Sequence, residues 1–465
     1  MPGKKPAKSS LNKKNLNIMD KSRRSFIKKS ATALATISAG GVLPGFSAKS
    51  YSSIVGANER VILAVMGVNS RGKALSATFS KQENTEIFYV CDVDSRAEAA
   101  CIDNIEKLGK KRPAASPDFR KALEDRNLDA LIIATPDHWH APAAILAARA
   151  GKHVYLEKPC SHNPAEGELL VAAAEKYKVV MQMGNQRRSF PNVVAGIKDL
   201  HEGIIGRPYY AKTWYTNNRP PIGRGKEVPV PSWLDYELWQ GPAPRRPYRD
   251  NLIHYNWHWF WNWGTGEALN NGTHFVDLAR WGLGVDYPVK VSSSGGRFAY
   301  NDDWETPDTQ VISMEFDNKT AIVWEGVSCN NRLIEGSSVG VIFTGEKGSL
   351  RIDGGNSYSV YDINGKLIKE VKEDEVIDSR NTANPSGGLD GFHVANFLEA
   401  IRKGTKLNAD ILSGHKSTLL VQLGNIAQRT GKTLLVDRLT GHIINEPEAG
   451  RLWTRDYEKG WEPVV

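Results

Sequence analysis

Residues 131–159, LIIATPDHWHAPAAILAARAGKHVYLEKP, leave few folds open. Leu131 to Ala134 is a short apolar run, the pattern of a strand covered on both faces. Pro142 to Ala150 is rich in alanine with no further Gly or Pro, which predicts a helix stopped by Gly151. His153 to Leu156 is a second strand, and Glu157-Lys158-Pro159 follows it. Strand, loop, helix and strand in this order make a parallel unit, and parallel α/β sheets bind ligands at the carboxyl ends of their strands. The two polar strand ends, Thr135-Pro136-Asp137-His138-Trp139-His140 and Glu157-Lys158-Pro159, are therefore expected to face one bound molecule.

The upstream chain repeats the pattern. Val61 to Met66 reads as a buried strand leading into Gly67-Val68-Asn69-Ser70-Arg71-Gly72 and a helix from Lys73. This is the position of a G-x-G-x-x-G dinucleotide loop, with Asn69 in place of the middle glycine. Gly67 permits the tight turn and Gly72 the close approach of helix to strand. Asn69 tolerates left-handed backbone better than most residues, and Ser70 and Arg71 complete the loop. The next strand, Ile87 to Cys91, ends at Asp92, 25 residues beyond Gly67. An acid about 20 residues on binds the adenine ribose hydroxyls. A carboxylate there favours NAD; Arg96 keeps NADP open, because it could receive a 2′-phosphate. Helices at Ala97 to Lys107, Phe119 to Glu124 and Ala165 to Tyr177, and a strand from Val179 to Met183 ending at Gly184-Asn185-Gln186, complete a doubly wound parallel sheet over residues 58–186.

The pattern then changes. After a helix at Val193 to Leu200, strands are predicted at Pro208 to Tyr215, Thr309 to Phe316, Ala321 to Val327, Ser338 to Thr344 and Ser349 to Ile352. Turns such as Gly345-Glu346-Lys347-Gly348 separate the later ones, as in a mostly antiparallel open sheet. Residues 187–465 thus read as a second α/β domain for substrate binding and oligomerisation, with late helices at Phe392 to Lys403 and Ser413 to Thr430. The Pro- and Arg-rich loop from Asn217 to Tyr255 reads as a lid or an oligomer arm.

The net charge of +8 resides in the amino terminus. Residues 1–48 hold ten Lys or Arg against one Asp, so the remainder is nearly neutral and offers no electrostatic case for nucleic acid. Within them, Ser22-Arg23-Arg24-Ser25-Phe26-Ile27-Lys28 precedes a mildly apolar run, Ala31 to Phe46, and a small-residue site, Phe46-Ser47-Ala48. This is a twin-arginine export signature. It predicts a signal peptide at 1–48, a periplasmic destination and no membrane anchor after processing. The route carries folded proteins, so a nucleotide enzyme using it is expected to hold its cofactor tightly. Cys91, Cys101, Cys160 and Cys329 form no C-x-x-C pair and read as free thiols, with no metal centre expected.

Taken together, the loop at Gly67, Asp92, Thr135-Pro136 through His140, Gly151 through Pro159, and Gly264 through Gly284 resemble the Gfo/Idh/MocA family of nucleotide-dependent sugar and polyol dehydrogenases. The resemblance implies a Rossmann domain followed by an antiparallel-sheet domain, a nicotinamide cofactor and a small carbohydrate substrate. It places Lys158 beside the nicotinamide and the substrate hydroxyl. The family pattern Asp-x-Gly-x-His-x-x-Asp reads here Asn270-Asn271-Gly272-Thr273-His274-Phe275-Val276-Asp277, making His274 the proton-accepting candidate. Asn270 replaces the usual acid; it can hydrogen-bond a sugar hydroxyl but cannot relay a proton. Thr135, Pro136, His140, Glu157 and Gln186 are expected at the cofactor, and Asp277 is expected to cap or to pair, for instance with Arg280. In the run Trp257-His258-Trp259-Phe260-Trp261-Asn262-Trp263, Trp261 and Trp263 are candidates for stacking on a sugar; packing under a loop or at a subunit interface is the equal alternative.

Three functions are compatible with these residues: a dehydrogenase acting on a sugar or glycoside with bound NAD(H); a redox-neutral enzyme that oxidises a hydroxyl transiently, cleaves a glycosidic bond and returns the hydride; and a non-catalytic sugar binder. Lys158 and His274 argue against the third, and Asn270 is the one feature in its favour.

Overall fold

The computed structural model describes residues 60–373 and 387–465; the expected export segment lies outside the described residues. β1 (Val61–Met66) is apolar throughout and buried along most of its length, and it leads into α1 (Arg71–Lys81). There follow β2 (Thr85–Cys91), α2 (Ser95–Lys107), β3 (Ala114–Ala115), α3 (Phe119–Leu123), β4 (Ala130–Ile133), α4 (Asp137–Arg149), β5 (His153–Leu156), α5 (Pro164–Tyr177) and β6 (Met181–Met183). These six strands pair in parallel in the order β3-β2-β1-β4-β5-β6. The order reverses at β1/β4, so a crevice opens at their carboxyl ends.

One local expectation changes. Residues 137–140, read as loop, form the first turn of α4, and Pro142 lies inside that helix. Proline has no N–H for the carbonyl four residues back. That carbonyl, on His138, instead accepts from Arg455 Nη2 at 2.7 Å, so a residue near the carboxyl terminus repairs the helix.

The chain continues through α6 (Pro191–His201), β7 (Pro208–Asn218), α7 (Tyr236–Gln240) and α8 (Thr273–Leu283) to a run of strands. These are β8 (Lys290–Gly296), β9 (Thr309–Glu315), β10 (Ala321–Val327), β11 (Cys329–Asn330), β12 (Val339–Gly345), β13 (Gly348–Asp353), β14 (Tyr358–Asp362) and β15 (Leu367–Val371). After them come α9 (Asp390–Lys403), α10 (Ile411–Thr430), β16 (Leu434–Leu435) and α11 (Pro447–Gly450). The second sheet runs β15-β14-β13-β12-β7-β10-β9-β8-β16, with β11 on β7. All its pairs are antiparallel except β7 with β10. Burial alternates along β9 and β10, so one face packs apolar side chains against α6, α8 and α10.

The late helices return to the first sheet. Val394, Phe397 and Leu398 of α9 share a buried cluster with Leu63, Phe79 and Tyr155, and Phe397 meets the Phe79 ring edge-on at 6.2 Å. In α10, His415 lies so close to α5 that a Cβ on Gly167 would sit 2.2 Å from its Nδ1. Part of the segment expected in the second domain thus completes the core of the nucleotide-type sheet.

Candidate active site

The turn after β1 is as tight as the glycine spacing demands. Gly67 has φ of +80°, and a Cβ there would lie 2.7 Å from the Thr135 nitrogen; a Cβ on Gly72 would lie 2.0 Å from the Gly67 carbonyl oxygen. Asn69 is exposed and is not among the residues with positive φ, so this position needs none of glycine's conformational freedom. Ser70 precedes α1 without making a cap hydrogen bond, and the first helical turn holds no acid. An uncapped helix N-terminus in such a turn is an anion site. Arg71 Nη2 and Thr135 Oγ1, both facing the same cavity, are buried without a partner.

Asp92 takes the Val68 N–H at 2.6 Å and the Asp94 N–H at 2.9 Å, and burial pushes its carboxyl up. Each carboxylate oxygen keeps a lone pair for a ribose hydroxyl. Arg96, the residue that kept NADP open, is paired with Asp94 and lies flat on Trp233 at 3.3 Å. Burial works to raise the Asp94 carboxyl, but Arg96 and His254 together hold it down, at about 2. The uncapped turn, the unpartnered polar atoms and Asp92 fit a dinucleotide without a 2′-phosphate.

The loop expected as a lid or oligomer arm docks beside Asp92. Ser95 N–H bonds to Trp233 O, Asp235 N–H bonds to Val93 O, both at 3.0 Å, and His254 meets Asp94 at 2.8 Å. Tyr255, at φ +79°, Trp257 and His258 then wall the cavity.

The second strand end supplies Glu157 and Lys158, and the peptide bond from Lys158 to Pro159 is cis. Glu157 faces inward: it accepts from Arg71 Nε at 2.8 Å and Gln186 Nε2 at 3.1 Å, while Arg71 also pairs with Asp390 of α9. Glu157 therefore braces the cavity wall, while Gln186 keeps an unpartnered buried oxygen there. His140 is held between Pro159 O at 2.6 Å and Thr135 O at 2.9 Å, so it ties the two strand ends together and has only its ring left for a ligand. Trp139 donates to Trp239 O and packs edge-on against Phe119. Pro136 and Asp137 line the same space, and Thr265 donates to Asp137, whose carboxyl burial raises.

Lys158 reaches across to the segment before α8. Its Nζ donates to Asn270 O at 2.6 Å and Asn270 Oδ1 at 3.2 Å. Asn270 sits in a π-helical turn, Ala268–Gly272, and such turns concentrate at functional sites. Burial lowers the Lys158 ammonium, with Glu157 and Asp137 opposing. His274, one residue into α8, lines the same cavity with its Nδ1 buried and unpartnered. Burial drives its imidazole well below the ordinary range, and Arg187, Lys158 and Arg71 push in the same direction. The ammonium and the imidazole thus converge on one cavity.

The remaining expectations fare unequally. Asp277 is paired, but with Arg188 through two bonds of 2.7 and 2.8 Å; Arg280 pairs with Asp286. Trp261 and Trp263 do not wall the cavity. Trp263 is buried beside Trp239 and Phe260, and Trp261 meets Arg429 at 4.9 Å. The run is an irregular loop around a short 3₁₀ turn, so no period carries its rings to one side. Trp257 and His258 face the cavity instead.

Several cavity residues carried no sequence signal of their own. Tyr255 accepts from Arg219 Nη1 at 2.6 Å, and Arg219 is itself paired with buried Glu267. Arg187 follows Gln186 in a short 3₁₀ turn, Gln186–Ser189, in which every residue is polar and buried. A buried run of such residues is the one clue that could have marked it.

Residues 61–185 match the model of an oxidoreductase family's NAD-binding Rossmann fold, and residues 214–463 match that family's C-terminal alpha/beta domain. A "Glycosyl hydrolase family 109 protein 2" of Shewanella sp. is 34% identical over 432 residues, 84% of this chain and 90% of that protein. A family 109 protein of Saccharopolyspora erythraea is 30% identical over 212 residues, 42% of this chain and 46%, under half, of that protein. In fold the chain is similar to a levoglucosan dehydrogenase solved with NADH and levoglucosan, at 18% identity and a TM-score of 0.63, covering 81% of this chain and 99% of the other. The chain belongs to the Gfo/Idh/MocA oxidoreductase family, with an NAD-binding Rossmann half and a C-terminal α/β half.

Proposed function

We propose that this NAD-binding oxidoreductase transfers a hydride between a tightly held NAD and a hydroxyl-bearing carbon of a sugar or glycoside. The observation that carries the reading is the meeting of Lys158 with Asn270 in the cavity that also holds His274 and the dinucleotide turn. Bound NAD supplies the hydride acceptor, and once reduced the donor. The chain supplies the rest. An ammonium has three N–H donors, and Asn270 occupies two of them. The third is left for the substrate oxygen, where it steadies the negative charge that grows as the proton leaves. His274, kept neutral by its surroundings, accepts that proton at its unpartnered Nδ1. Arg71, Ser70 and Asp92 bind the cofactor, and Tyr255, Trp257 and His258 exclude water above it.

The redox-neutral reading has its own support in relatives named as glycosyl hydrolase family 109 proteins. In it Lys158 and His274 would take the hydroxyl proton and later give it back, and bound NAD would supply the transient oxidation around cleavage of the glycosidic bond. We also propose export to the periplasm, from the twin-arginine pattern at Ser22 to Lys28, and a homo-oligomeric state.

The test is a screen of purified, cofactor-loaded protein against sugars and aryl glycosides without added NAD, reading nicotinamide absorbance near ~340 nm and aglycone release. A single stoichiometric absorbance change supports net oxidation. Repeated aglycone release with no net change supports the neutral cycle. No hydride transfer to any carbohydrate refutes both.

A further inference from the structure

Two neighbouring arginines at the end of β6 are treated differently by the fold. Arg188 is fully neutralised, gripped by both oxygens of Asp277. Arg187, only 2% exposed, has no carboxylate partner within ion-pair distance among the described residues. Its Nε and Nη2 both go to one neutral acceptor, the Gly354 carbonyl, at 3.2 and 2.7 Å, and its plane lies over the Phe275 ring at 4.8 Å. Its Nη1 is buried and bonded to nothing. The side chain walls the cavity that holds Lys158 and His274.

A buried, unneutralised guanidinium is expensive, and it persists where a ligand supplies the missing charge. The anchor at Gly354, in the loop after β13, and the aromatic floor at Phe275 fix the fork rigidly, as recognition of a carboxylate requires. Burial, only partly answered by Asp390 and Asp353, holds the guanidinium down at about 10.

We infer that Arg187 is a specificity residue for a carboxylate on the substrate, so that the enzyme takes acidic sugars, uronic acids or their glycosides, in preference to neutral ones. The inference rests on the proposed sugar-oxidising reading and narrows it. One free nitrogen and one unmatched charge suit a carboxylate better than a phosphate dianion, which asks for more donors than Arg187 has left.

The experiment is calorimetric titration of cofactor-loaded protein with D-glucuronate, D-glucose and D-glucose 6-phosphate at matched ionic strength. Glucuronate is expected to bind at least about tenfold more tightly than glucose, the margin of a charge-assisted hydrogen bond. Arg187→Gln, which keeps a donor for Gly354, is expected to erase that gap. Arg187→Lys is expected to retain part of it. Should these variants fail to fold, the wild-type comparison decides alone. Equal or tighter binding of glucose or of the phosphate, no measurable preference for glucuronate, or an equal loss for all three probes in Arg187→Gln overturns the inference. So does loss of NAD from that variant, which would assign the free nitrogen to the cofactor. Absorbance recorded in parallel separates the two ideas. Tight glucuronate binding without hydride transfer refutes the dehydrogenase reading alone; oxidation of neutral sugars without the preference refutes only the carboxylate site.

Discussion

Acidification acts on this fold through histidines that it holds neutral. His138, His274 and His415 are buried and His162 and His258 half-buried, and desolvation depresses each imidazole, His138 to about 3 and His415 to about 4. In the unfolded chain each returns to about 6.5. Below that value the unfolded state binds protons that the folded state refuses, so stability is complete above it and drains away as pH falls. Between pH 7.5 and 5.5 each such histidine costs about 1.4 kcal/mol, and the five together on the order of 7 kcal/mol. Asp92 and Asp137, whose carboxyls burial raises, act with the opposite sign and trim the total. For about 400 folded residues, an unfolding entropy of about 2.1 cal/mol/K per residue converts this into a fall in Tm of roughly 8 °C. Thermal melts by circular dichroism at the two pH values, in buffers of equal ionic strength, measure it. A Tm unchanged within about 2 °C would mean that these side chains are not the neutral groups described above.

Lys158→Ala is expected to lower single-turnover hydride transfer by about 10²–10³-fold while the protein still purifies with NAD; undiminished transfer removes Lys158 from the reaction. Asp277→Asn leaves Arg188 buried against a neutral partner and is expected to cost about 3–5 kcal/mol in urea unfolding. A loss below about 1 kcal/mol would show that Ser417 and Trp281, which also contact this pair, carry Arg188 without it.

The parts that could be read from the chain are those whose physics is local. The turn from Gly67 to Gly72, the strand end at Lys158 and the helix holding His274 each announce themselves within a dozen residues, because tight turns and strand ends need particular residues at fixed offsets. Contacts between distant segments do not. One of the two partners of Arg71 lies on α9, 319 residues away, and that of Asp277 is Arg188, 89 residues upstream rather than the neighbouring Arg280. Nothing near either residue encodes those choices. The aromatic run failed for a related reason. In an irregular loop, tertiary packing alone decides which ring faces a cavity, and it turned Trp257 inward and buried Trp263 elsewhere. Pro142 misled in the other direction: the helix begins five residues before it, and the His138 carbonyl it leaves without an N–H takes a donor from Arg455, 317 residues beyond His138.

The return of α9 to the first sheet bears on how the molecule is made. A ribosome releases the amino-terminal strands first, and domains often fold as they emerge. Here that course is blocked, because Val394, Phe397 and Leu398 fill the space beside Phe79 and Tyr155. Until α9 has been synthesised, the nucleotide half lacks a wall and Arg71 lacks Asp390. NAD capture is therefore expected only once α9 has packed against Phe79 and Tyr155, and a chain lacking α9 is expected not to retain the nucleotide.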